Sequence, residues 1–479
     1  MWWYSIRRPA ASSKLRMSLV AGVVATLAIG GCASSGKASG DSNQMTIMTN
    51  ANVISGVTPK TSHGVNSISS WYTYYHAVWA KDLPKLKISE VQVPDIPTAV
   101  TKTLLAVNAG NPTDLIGVSD ALPQLVQRGA LTNLDKYYKA AGIKPSDFVP
   151  ALAQFVRYNG HWYGLPGASN PTAEDLLFIP KMLTKAGLNP NAVPRTFDGL
   201  WTATQKVTEF GPNHAIKRIG IPVSGSNADM ENLFCGSNAT WDPKGGYHAD
   251  SPCLRKYFEY EKKLIDFYGG LTAYNKFAST DPGPYGCSPK YHMATGQQLF
   301  NFSAYWEGGQ IDHCYNLDWA MSWAPSQTGD INHGIRSTAW VMAVPKGAAN
   351  VQAAFDFWKT TMYDNGALAG PTTNGYTRPT QAQQWDKQLS QAQSKIRAKN
   401  GYAGNPMVDA LKIVDKESTI AAGSYPRGTF TSQYTTIMTE AWNNIAYNKS
   451  SIADALSGAQ KQIDSKERAT PGGVVVGNG

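Results

Sequence analysis

The 479-residue chain has no run of eighteen apolar residues, which leaves no segment able to stay in a bilayer as a spanning helix. Basic residues outnumber acidic ones, 43 to 34, yet nowhere gather into a block. The electrostatic footprint of a nucleic-acid binder is therefore missing. Cys-x-x-Cys, His-x-x-x-His and Gly-x-Ser-x-Gly spacings are absent, which removes the common zinc sites and the hydrolase nucleophile elbow. Neither a metal nor another cofactor is expected. Cysteine is scarce, five in all, and no acidic residue precedes the first of them, Cys32.

What stands before Cys32 is ordered. Arg7, Arg8, Lys14 and Arg16 precede an apolar run from Leu19 to Ile29, the layout of a secretory signal. "LAIGGCASSG" then puts an apolar residue and two small ones before the cysteine and resembles the bacterial lipobox. Residues 1–31 read as a lipoprotein signal peptide, and Cys32 as the lipidated new N-terminus that holds the protein on the outer face of the cell membrane. Residues 32–43, "CASSGKASGDSN", are small and polar and read as a flexible tether. Gly31 to Lys37 matches most of a phosphate loop, but Ala38 stands where Ser or Thr is needed and no strand precedes it.

Beyond Cys32 the net charge falls from +9 to +5 and the length exceeds what one core usually supports, so two lobes are expected. Cys235, Cys253, Cys287 and Cys314 form an even set in an exported chain and suggest two disulfides. Three pairings are open; proximity favours Cys235 with Cys253 and Cys287 with Cys314.

"QMTIMTN" (44 to 50), "KISEVQV" (87 to 93) and "TDLIGVSD" (113 to 120) read as strands, with helical stretches between them, the second running through Val100, Leu104, Leu105 and Val107 to Gly110. Strand, helix, strand, helix, strand implies parallel pairing in an α/β lobe. Ligands then gather beyond the carboxyl ends of the strands, which points to the loops after Asn50 and Val118, with Ser119 and Asp120. "SPCLRKYFEYEKKLIDFYGG" carries Leu254, Tyr257, Phe258, Leu264, Ile265 and Tyr268 on helical spacing, and Tyr434, Ile437, Met438, Ala441 and Ile445 form a second stripe. "SSIADALSGAQKQI" reads as a capped helix and residues 469–479 as a disordered tail.

Five segments carry a resemblance. They are "GNPTDLIGVSDALPQLVQRGALTNLDKYY", "YNGHWYGLP", "LLFIPKMLTKAGLNPNAVPRTFDGLWTATQKV", "ATGQQLFNFSAYW" and "STAWVMAVPKGAANVQAAFDFWK". In that order they resemble family 1 extracellular solute-binding proteins, the maltose-binding-like group, departing from its pattern at "MTNANVISGV" and at Gln298-Leu299. The resemblance implies a two-lobed periplasmic-binding-protein-like fold, each lobe a mostly parallel sheet flanked by helices and joined by hinge crossings. The first lobe would take residues 44–168 and 326–365, the second 169–325 and 366–468. It also implies a monomer without cofactor that delivers its solute to the permease of an ABC importer.

Fourteen tryptophans and twenty-three tyrosines suit a carbohydrate ligand, whose C–H faces stack on flat aromatic plates. Trp358, Trp442 and Trp201 belong to core stripes. Trp306 matches the tryptophan that the family often presents to its ligand, flanked by Tyr305 and Glu307; Trp340, after Arg336 and Ser337, occupies a turn that the family brings to the cleft. Trp71, Trp162 and Trp241 are further loop aromatics, and Asp120, Asn227 and Asp229 are candidate acceptors for hydroxyls. A peptide, polyol, polyamine or phosphodiester is the alternative solute, with Arg336 and Arg378 available to a phosphate. A glycoside hydrolase would instead need two carboxylates about 5 to 9 Å apart, and Glu174, Asp175, Glu231 and Glu307 are the candidate acids.

Overall fold

Alternation of Met45 and Ile47 with Gln44 and Thr46 sets up the first strand, Gln44–Thr49 (β1), in the computed structural model. The structure describes residues 43–49, 81–93, 96–118, 121–167, 175–242, 246–284, 287–315, 317–330, 336–337, 341–366, 377–399, 401, 404–420, 423–424 and 430–469. They all belong to one compact unit, Asp41–Gly479. Residues 1–42, with Cys32, lie outside the described residues, as do Trp71, Ser119, Asp120, Glu174, Trp340 and residues 470–479.

The strands that build the two larger sheets follow as β2 (Lys87–Gln92), β3 (Leu115–Gly117), β4 (Gly164–Pro166), β5 (Asp175–Phe178), β6 (Phe300–Ser303), β7 (Ala320–Ser322) and β8 (Val341–Ala343). The first sheet has the order β2-β1-β3-β8-β4. β1 pairs in parallel with both β2 and β3, as the strand–helix–strand order requires, and the helix Ile96–Asn108 makes the crossover between β2 and β3. β8 runs antiparallel to β3 and to β4, and the second sheet, β6-β5-β7, is antiparallel in both pairings. The fold is mixed α/β as expected, but its sheets are not mostly parallel. The reason is the path of the chain: β8 returns from the second sheet and starts at the edge where β3 and β4 end, so it must run against them.

Two hydrophobic clusters hold these layers, and β5 is shared between them. Leu177 and Ile179 lie in the cluster of the first sheet, whereas Leu176 and Phe178 lie in the other, because successive side chains of a strand point to opposite faces. The first cluster also takes in Tyr291, Tyr305, Trp319, Trp385 and Met407 from segments that the sequence assigns to the second lobe. Trp358 is fully buried, its indole N–H donating to the Pro166 carbonyl at 2.7 Å, and Trp442 lies in the second cluster.

The helix Pro252–Phe267 starts where Ser251 Oγ accepts from Leu254 N at 3.1 Å with Pro252 at the first position, and it is followed by Gly269 at φ +86°. The predicted capped helix is Ile452–Ala469, with Ser451 Oγ accepting from Asp454 N at 3.1 Å. Disulfides join Cys235 to Cys253 and Cys287 to Cys314. No helix of the described residues is long and apolar enough to cross a membrane.

Candidate functional site

The strand directions gather several chain ends on one edge of the first sheet. β1, β3 and β4 end there and β8 begins there, with Val118 N donating to the Val341 carbonyl at 2.8 Å and Val341 paired with Pro166. The segments that depart from or arrive at this edge, 50–80, 119–120, 168–174 and 338–340, carry Trp71, Ser119, Asp120, Glu174 and Trp340. A sheet edge of this kind is where open α/β folds collect ligands.

From β4 the chain needs only residues 167–174 to reach β5 in the other sheet. At the start of β5, Asp175 stands opposite Ser303 of β6, and the helix Tyr305–Cys314 begins two residues later. Trp306 therefore sits at that helix start, beside the point where the chain passes between sheets. It is half-buried and packs on the first cluster. Its neighbour Tyr305 is only 1% exposed and meets Trp385 edge-on at 5.4 Å.

The acids here are interior groups. Glu307 accepts from the Tyr291 hydroxyl and from Asn301 Nδ2, and burial pushes its carboxyl above the usual range. Asp175 accepts from Ala324 N at 3.1 Å and shares a hydrogen bond with the carboxyl of Glu417, while burial raises it to about 7. Glu231 is fully buried and within 3.3 Å of the Tyr434 hydroxyl. Asp175, Glu231 and Glu307 are thus each enclosed by packing and hydrogen bonds, and none presents a carboxylate to solvent.

The other candidates scatter. Trp162 is 6% exposed and stacks on Tyr138 at 4.0 Å; Trp241 lies in the second cluster. Both staple their loops to a core and, with Tyr305, are packing residues instead of ligand plates. Asn227 is spent on the helix Ala228–Cys235, its Oδ1 accepting from Asp229 N at 2.9 Å, and Asp229 is buried at that helix start. Arg378 lays its guanidinium over the Tyr363 ring at 4.5 Å, and Ser337 pairs with Ser424 in a two-residue parallel ladder.

One group the sequence reading passed over is built with care. Glu261 accepts from Ser224 N at 2.8 Å and Gly225 N at 2.7 Å, the Tyr257 hydroxyl donates to the Gly225 carbonyl, and the Tyr268 hydroxyl donates to the Ile221 carbonyl. Together they fix residues 221–227, which lead into the Asn227 cap. The signal was an acid inside an apolar stripe, four residues from Tyr257 and four from Ile265.

A model described as bacterial extracellular solute-binding protein matches residues 80–402, more than half of the chain. The chain belongs to the bacterial extracellular solute-binding protein family. Among curated relatives, the maltotriose-binding protein of Pyrococcus abyssi is 27% identical over 142 residues, 29% of this chain and 28% of that protein's own length. The fold resembles that of CpMnBP1 with mannobiose bound, with a TM-score of 0.66, 23% identity and coverage of 88% of this chain and 99% of that one. It also resembles UgpB from Mycobacterium tuberculosis in complex with glycerophosphocholine, with a TM-score of 0.63, 15% identity and coverage of 85% and 98%. The structural likenesses show a shared fold.

Proposed function

We propose that this family member captures a carbohydrate, most simply an oligosaccharide, between two lobes and passes it to the permease of an ABC importer. The lobes would be residues 44–168 with 326–365 and residues 169–325 with 366–468. Binding would favour the closed arrangement because only there does the solute touch both lobes. Cys32 would hold the protein on the outer face of the membrane, which keeps the captured solute near its permease.

Trp306 carries the reading. It is a half-buried aromatic plate at a helix start beside the sheet-to-sheet passage, while Tyr305, Trp162 and Trp241 are packed away. A mannobiose-bound structure and a relative named as maltotriose-binding support a carbohydrate ligand. The glycerophosphocholine-bound relative keeps a phosphodiester as the second reading, against which stands the engagement of Arg378 with Tyr363.

The test is thermal unfolding of the unit Asp41–Gly479 against mono- and oligosaccharides and glycerophosphocholine, with each ligand recovered and checked for cleavage. A ligand at a hundred times its dissociation constant adds about 2.7 kcal/mol. A rise in midpoint with an intact sugar supports carbohydrate capture. A rise with glycerophosphocholine alone replaces it with the phosphodiester reading, and cleaved sugar would make the protein a hydrolase.

A further inference from the structure

Gln298 is one of the positions at which the chain departs from its family pattern, and its amide nitrogen makes two hydrogen bonds. Nε2 donates to the Phe300 carbonyl and to Asn301 Oδ1, both at 3.0 Å, while the backbone at Gln298 is held by a bridge to Ile219 and by the His292 carbonyl. With Oδ1 taken, Asn301 turns its Nδ2 the other way, 3.0 Å from each oxygen of Glu307. The Tyr291 hydroxyl donates to the same carboxyl. All but the half-buried Asn301 are enclosed.

A buried acid needs hydrogen-bond partners in any protein, and Tyr291 with Asn301 would meet that need. It does not account for Gln298, whose hydrogen bonds go to Asn301 and Phe300 and serve to fix the Asn301 amide.

The position of Glu307 gives the chain of bonds a purpose. The helix Tyr305–Cys314 has Ala304 at its cap and no side-chain cap, so the common restraint on a first turn is missing. An acid at the third helical position often reaches back to the cap, but Glu307 is turned to Asn301 of β6 and to Tyr291. Trp306 directly precedes it in the same turn. Successive helical residues lie about 100° apart around the axis, so fixing the bearing of Glu307 fixes that of Trp306. At the far end of the helix Asp312 pairs with Arg397 and Cys314 is joined to Cys287. That disulfide encloses Tyr291, Gln298, Asn301 and Glu307 in one covalent ring.

We infer that Gln298, Asn301 and Glu307 are positioning residues for Trp306, holding the first turn of its helix so that the indole offers one fixed face to the solute. This rests on the reading of Trp306 as a sugar plate. A plate ordered in advance spares the bound sugar the cost of ordering it, so the three residues add to affinity through Trp306.

The test uses the unit Asp41–Gly479 with 5-fluorotryptophan in place of tryptophan. The fluorine resonance that Trp306→Phe removes belongs to Trp306. In Gln298→Ala and in Asn301→Leu that line should shift or split while the other tryptophan lines stay in place. A Trp306 line unchanged in both variants overturns the inference, and so does movement of all the lines together, which would assign these residues to general packing. Glu307→Gln sets an amide against Asn301 Nδ2 and should also disturb the line; adding Asn301→Asp exchanges donor for acceptor, conserves the charge, and should restore it.

Calorimetry with maltotriose as the probe sugar separates this inference from the reading beneath it. Gln298→Ala should weaken binding about fivefold in the parent and less than about twofold when Trp306→Ala is already present. Weakening of equal size in both backgrounds, or none in the parent while Trp306→Ala weakens binding, overturns the positioning role. Affinity left unchanged by Trp306→Ala overturns the sugar-plate reading itself, and the functional half of this inference with it.

Discussion

Glu261 reaches from the middle of its helix to accept the backbone N–H of Gly225 at 2.7 Å, although 36 positions separate the two residues. Burial raises this carboxyl from 4.5 to about 8, despite the two backbone N–H groups that favour its charge. A carboxyl raised in the fold binds its proton more tightly there than in the unfolded chain. Its contribution is fully present below about 4.5 and is lost as pH climbs through about 8. Asp175 and Asp386, each pushed up to about 7, act in the same direction. The thermal midpoint should therefore fall from roughly pH 5 to roughly pH 9, and Glu261→Gln, which keeps an acceptor for both N–H groups, should flatten the fall. A parent curve that rises with pH over that span would refute this.

Trp306→Ala should weaken carbohydrate binding about five- to 150-fold, read by calorimetry, since an aromatic plate lost from a sugar site costs about 1 to 3 kcal/mol. Its unfolding midpoint should change little, because the side chain is only half-buried. Trp162→Ala should do the reverse, lowering stability by about 3 to 5 kcal/mol and leaving affinity intact, because it fills the stack with Tyr138. Equal affinity in the parent and the Trp306 variant would remove that residue from the site.

These two tryptophans also mark where the sequence was legible. Period-two alternation put β1 and β2 in place, and strand–helix–strand order predicted the parallel pairing of β1 with β2 and β3. Helical stripes placed the helices Pro252–Phe267 and Thr431–Ala446, since periodicity is a local signal. The antiparallel entry of β8 was not legible, because it depends on where the chain returns from. Nor could loop position separate Trp306 from Trp162. Both stand two residues from a glycine, and only the arrival of Tyr138 under one ring decides its role.

Arg397 and Asp312 make a buried pair, 1% and 0% exposed, with the second guanidinium nitrogen reaching Asp318 at 2.6 Å. Arg397→Met should lower stability by about 3 to 5 kcal/mol, because the Asp312 carboxylate stays enclosed without its counter-charge. Adding Asp312→Leu should recover much of that loss in chemical denaturation. A double variant as unstable as the single one would show that the pair contributes packing and not charge compensation.

Reduction of the two disulfides should lower stability by about 3 kcal/mol each, given that they close loops of 18 and 27 residues. Denaturant midpoints with and without reductant provide the measurement. An unchanged midpoint after full reduction would mean that packing already confines those loops.

Cys32→Ser should move the protein from the membrane fraction to the soluble fraction or leave it unprocessed. Lipid labelling that persists in this variant would rule out Cys32 as the anchor.

Both sheets wait for the far end of the chain. β5 finds its partners only when β6 and β7 arrive, and β3 and β4 are joined only when β8 slides between them. Contacts so distant in sequence slow folding. An emerging chain that stops short of Val341 can complete the second sheet and not the first. Until β8 has been made, β3 and β4 share no partner, and the first sheet stays in two pieces.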